Sequence, residues 1–132
     1  MTIVAIIHGL RIPSLIDTGA SVSLLREDVY NRYFSELEHL QLSTETTQTI
    51  SSMTGHNLSL SALVNLDVKI GETDLRHPCY VVNEAPLPCI LGADLLSKFG
   101  SMTVNFEEGM IAFGHNMVPF LDETSVLDET IK

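Results

Sequence analysis

From position 60 to position 70 every second residue is apolar: Leu60, Ala62, Val64, Leu66, Val68 and Ile70. Side chains on an extended strand point alternately to opposite faces, so this spacing makes one buried face and one polar face. A strand of that length is not stable alone, and it commits the chain to a sheet. Residues 2–7 are β-branched and apolar, and His8-Gly9 is a two-residue turn into Leu10-Arg11-Ile12. Pro13 has no N–H for a ladder and belongs at an edge or bend. Residues 14–16 and 21–25 read as short strands, and Gly71-Glu72-Thr73 turns the chain into a returning strand, 75–82, with Pro78 on its rim. Cys89-Ile90-Leu91 is a short buried strand, and residues 102–106 and 110–113 form a hairpin about Glu107-Glu108-Gly109. Two stretches change period. Val29, Tyr30, Tyr33, Phe34, Leu37 and Leu40 recur at helical spacing, and residues 95–99 form a short helix opened by Asp94 and ended by Gly100. The expected fold class is all-β, with one or two short helices.

With 132 residues there is room for one domain with its own core, expected over 1–115, followed by an acidic linker or tail over 116–132. Hydrophobic content of 45% against 18% charged marks a folded chain. The net charge of -10 argues against a nucleic-acid partner, whose affinity rests on cationic side chains. No apolar run reaches the roughly 18 residues of a membrane span, and no basic, then apolar, leader opens the chain. The expectation is a cytoplasmic protein with no membrane partner. Cys79 and Cys89 are too few for a disulfide scaffold; a hairpin could bring them together, but reduced thiols are the expected state. The five histidines show no metal-ligand spacing, so neither metal nor cofactor is expected.

The chemistry concentrates in Leu15-Ile16-Asp17-Thr18-Gly19-Ala20-Ser21. A carboxylate at the end of a buried strand is costly to desolvate unless hydrogen bonds or a useful role offset it. Thr18 offers a hydroxyl and Gly19 an unobstructed N–H. Alternation puts Leu15 on the Asp17 face, as a pocket wall or plain core, and Ile16 on the opposite, core face. Asp-Thr-Gly alone is ordinary turn chemistry. With its flanks it resembles the active-site loop of the aspartic peptidases. Cys89-Ile90-Leu91-Gly92-Ala93-Asp94-Leu95-Leu96 resembles the second signature of their one-domain, retroviral type. The chain is thus similar to the retropepsin-like peptidases of retroviruses and retrotransposons.

That resemblance implies an acid-protease barrel with one lobe per chain, active as a twofold homodimer. It implies that Asp17 is catalytic, with one copy from each chain, and that Thr18, Gly19 and Ala20 support the loop. The polar tip Ser51-Ser52-Met53-Thr54-Gly55-His56-Asn57 is an exposed hairpin on its residues alone. The resemblance makes it a flap whose Met53, Thr54 and Gly55 meet substrate. Leu15, Ile90 and Leu91 would line or support the pocket. Asp94 lacks a following Thr-Gly and so opens a helix instead of supplying a second carboxylate. The activity implied is aspartic endopeptidase, acting on an extended peptide or polyprotein of a retroelement. Alternatives are a catalytically silent dimerisation or peptide-binding module, a cellular retropepsin-like protein of the ubiquitin pathway, and a β-rich binding domain in which Asp17 only caps a turn. Two features depart from the family pattern: few residues precede the first strand, and no clear β-branched dimer strand follows Phe113.

Overall fold

The computed structural model describes residues 1–37, 49–51 and 57–121. Its strands are β1 (Thr2–Ile7), β2 (Leu10–Ile16), β3 (Leu24–Arg26), β4 (Thr49–Ser51), β5 (Asn57–Ile70), β6 (Thr73–Val82), β7 (Cys89–Leu91), β8 (Met102–Asn105), β9 (Met110–Phe113) and β10 (Asn116–Leu121). They join in the order β4-β5-β6-β3-β7-β2-β1-β10-β9-β8, and a further β5–β1 pairing closes six of them into a barrel. Helical structure is brief. One turn, α1 (Glu27–Val29), runs into a π-turn at Tyr30–Phe34, and α2 (Ala93–Leu96) runs into a 3₁₀ turn at Ser97–Phe99.

The alternating stretch forms the expected strand. Ala62, Val64, Leu66, Val68 and Ile70 are at most 1% exposed, while Asn65, Asp67 and Lys69 face solvent. β5 pairs antiparallel with β6 from Ile70↔Thr73 to Leu60↔Val82, with one irregularity between Leu60 and Ala62. The β1–β2 turn has positive φ at both His8 (49°) and Gly9 (84°), the geometry a two-residue hairpin demands. His8 tolerates it because its turn is tied to β5: its N–H donates to the Asp67 carbonyl, and the Asp67 N–H donates to His8 Nε2.

Pro13 corrects the expectation of an edge or bend, for it is buried inside β2. The reason lies in the ladders. At Pro13 only β1 is alongside, and β7 joins β2 from Ser14 onward. Pro78 and Pro119 obey the same rule: β3 joins β6 from Tyr80, and β1 joins β10 from Phe120. A residue without an N–H is tolerated in a strand where one side is unpaired. The second correction is at the C-terminal side, where the expected tail contributes β10 at residues 116–121. Val118 is buried and Phe120 packs on the main core, so this segment has an apolar face despite its proline.

Short strands buried on both faces sort their side chains into two clusters. Ile16, Leu25, Val81 and Leu91 enter the main core with Ile3, Phe34, Leu66 and Phe113. Their strand neighbours Leu24, Val82 and Ile90 form a smaller cluster, against which Leu15, Ala20, Val22, Tyr80 and Ala85 pack. The smaller cluster therefore lies on the face that Leu15 shares with Asp17.

Candidate active site

β2 and β7 lie side by side and parallel, Leu15 opposite Ile90 and Ile16 opposite Leu91. The Asp17 N–H extends this ladder by donating to the Leu91 carbonyl at 3.0 Å. Beyond it the chain turns tightly. Ala20 N–H donates to the Asp17 carbonyl at 3.1 Å, and Gly19 N–H donates to Asp17 Oδ1 at 3.0 Å. Among the described residues this is the one hydrogen bond to the Asp17 carboxylate, which is half-buried beside the exposed Thr18 and Gly19. The group keeps most of its capacity to accept.

The loop after β7 is pressed against this turn. Ala93 N–H donates to the Ala20 carbonyl at 2.8 Å, and Gly92 N–H to Ser23 Oγ at 3.0 Å. A Cβ on Gly92 would lie 2.4 Å from the Val22 oxygen and 2.9 Å from that of Ala20, so any side chain there forces the backbone of the Asp17 loop to shift. Gly92 is the residue that caps α2, and Asp94 sits at the second helical position, correcting the expectation that Asp94 opens the helix.

Asp94 is surrounded by donors. Ser23 Oγ donates to Oδ1 at 2.7 Å, Ser23 N–H to Oδ2 at 3.2 Å, and Leu95 N–H to Oδ1 at 2.7 Å. His77 Nε2 lies 2.8 Å from Oδ2, and Lys98 Nζ lies 2.7 Å from His77 Nδ1. An ammonium only donates, so Nδ1 carries the lone pair and Nε2 the proton that reaches Asp94. Burial pushes the Asp94 carboxyl up, but the hydrogen bonds from His77, Ser23 and Leu95 outweigh it and hold the group below the ordinary aspartate value.

The residues singled out in the sequence divide as follows. Asp17, Thr18, Gly19 and Ala20 form one turn; Leu15 and Ile90 belong to the small cluster on its face. Leu91 has its side chain in the main core and supports the turn through its carbonyl. Met53, Thr54 and Gly55 lie outside the described residues. Cys79 and Cys89 are free and fully buried, and burial pushes the Cys89 thiol up to about 12 and Cys79 well above its usual value. β3 runs between their strands, a separation of about 9–10 Å that a disulfide does not span. Among the described residues no three His, Cys, Asp or Glu side chains converge as a metal site, and no helix is long and apolar enough to cross a membrane. Sequence reasoning missed Ser23, His77 and Lys98. The available signal was parity: His77 shares its strand face with Cys79 and Val81, where a polar ring needs a partner.

Residues 3–98 match a family model described as "gag-polyprotein putative aspartyl protease". No curated protein sequence matches the chain. Among solved structures, the retroviral protease-like domain of Ddi1 from Leishmania major is similar at a TM-score of 0.71 and 16% identity, over 93% of this chain and 94% of that one. The EIAV protease in complex with the inhibitor HBY-793 gives 0.62 and 24%, over 80% and 92%. A retropepsin-like aspartic protease from Rickettsia conorii gives 0.56 and 19%, over 89% and 78%.

Proposed function

The chain belongs to the gag-polyprotein aspartyl protease family and has the retropepsin fold, and from that premise we propose that it is an aspartic endopeptidase working as a twofold homodimer. The observation that carries this reading is the Asp17 carboxylate, held at a strand end by its own turn and with one hydrogen bond among the described residues. A single chain brings one such group, so the second comes from a symmetry-related copy.

Two carboxyls on the dyad axis grip one water. Like charges that close do not both ionise, so the pair holds one proton. The ionised member takes a proton from the water as it attacks the peptide carbonyl. The protonated member supports the carbonyl oxygen and then protonates the leaving nitrogen. Thr18 of each loop buttresses the other, and Gly19 supports the carboxylates. Substrate lies extended, bound by main-chain hydrogen bonds between the floor and a flap bearing Met53, Thr54 and Gly55, with Leu15 and Ile90 as apolar walls. The natural substrate is a retroelement polyprotein, cut inside the cell, where Cys79 and Cys89 stay reduced. A second reading, a silent dimerisation module or a cellular relative, draws support from the fold likeness to a domain of a cellular organism, Leishmania major. Inhibition by a hydroxyl-bearing transition-state mimic tests the choice. One inhibitor per two chains is the expected stoichiometry; absence of both binding and cleavage favours the second reading.

A further inference from the structure

Asp94 and its partners form a polar chain that the reaction itself does not use. The chain runs in one direction. Lys98 donates to His77, His77 donates to Asp94, and Ser23 donates to Asp94 through both N–H and Oγ. Ser23 Oγ also accepts from Gly92 N–H, which fixes its proton toward Asp94. With the Leu95 N–H, four donors aim at one carboxylate, and no acceptor faces it among these contacts. His77 and Ser23 are buried, at 3% and 0% exposure, so water does not replace a lost partner.

The far end of this chain is the turn that carries Asp17. Ser23 ends the segment leaving that turn, and Ala93, next to Asp94, holds the Ala20 carbonyl. Ala20 in turn donates to the Asp17 carbonyl. We propose that Asp94 is a positioning residue for the Asp17 loop, locked as an acceptor-only carboxylate by the Lys98–His77 relay. The proposal rests on the peptidase reading for its kinetic readout and on geometry for the rest.

Three variants test it: Asp94→Asn, His77→Leu and His77→Gln. Asparagine keeps the shape but turns an N–H toward the donors. Leucine breaks the relay. Glutamine keeps an acceptor for Lys98 and a donor for Asp94. Asp94→Asn and His77→Leu are expected to lower kcat about a hundredfold with KM unchanged, as a small misplacement of a reacting group does. His77→Gln is expected to recover most of the parent kcat. Should Asp94→Asn not fold, the His77 pair carries the same test. If the parent cleaves and His77→Leu matches its kcat, the positioning role is overturned while the peptidase reading holds. If the parent cleaves nothing, the peptidase reading fails and amide exchange at Ser23 and Gly92 decides. Faster exchange in His77→Leu but not in His77→Gln supports the clamp; equal exchange in all three proteins overturns it.

Discussion

Two loops leave two neighbouring parallel strands, and each carries an aspartate. After β2 comes Asp17 with, among the described residues, one hydrogen bond to its carboxylate, from its own turn. After β7 comes Asp94 with four, three of them from Ser23 and His77 on other parts of the chain. The same side chain thus has opposite occupancies. A saturated carboxylate is a structural acceptor, stable as an anion and with little left to offer a substrate. A carboxylate with one partner among the described residues, its turn held by backbone on both sides, is the one the proposed mechanism uses to take a water. The contrast teaches that, on the proposed reading, the acid left open for chemistry is the one with the fewer partners among the described residues, and that its turn is packed against the loop next door.

The sharpest way to break the comparison is Asp17→Asn. Peptide cleavage should fall by at least about a thousandfold, the contribution of a lost general base, with an unchanged melting temperature. A variant that cuts like the parent would end the distinction between the loops. Gly92→Ala comes next. It drives a Cβ into the backbone oxygens of Val22 and Ala20, and should cost about 3 kcal/mol in urea unfolding, at the upper end for overpacking. If alanine is accommodated without loss, the two loops are not in the close register described.

Acid titration sharpens the comparison from the other side. The Asp94 carboxyl is held below its ordinary value of 3.8, so the unfolded chain takes up the proton first as pH falls. Its contribution to stability is therefore present above the ordinary aspartate range and lost as pH drops through the lower, folded value. Melting temperature measured against pH, at fixed protein concentration, should fall more steeply below about pH 4 in the parent than in Asp94→Asn. Equal slopes would mean that the donors around Asp94 do not favour its charged form. Arg76→Gln is the smallest expected effect. Arg76 pairs with Asp67 on the exposed face, away from both loops, and its loss should leave cleavage and melting unchanged.

Much of this was legible in the residues. The period of β5 is a local pattern, so the long strand and its buried face follow from spacing alone. Asp17 and its turn were readable because Thr-Gly-Ala leaves a carboxylate small neighbours and a free N–H. The extent of β10 was not legible, because Met117-Val118-Pro119-Phe120 carries a proline whose tolerance depends on when the β1 ladder begins. The same rule hid Pro13. The surroundings of Asp94 were half legible: its place beside a short helix could be read, but nothing nearby in sequence named Ser23 and His77 as its partners.

By itself the sequence determined a strand-built chain and the acid at the turn after β2, since both depend on neighbours one to four residues apart. Only the tertiary structure decided that, among the described residues, Asp94 has four hydrogen-bond donors and the Asp17 carboxylate one. Ser23 lies 71 positions before Asp94 and His77 lies 17 before it, and hydrogen bonds over such separations exist only after β3, β6 and β7 have paired.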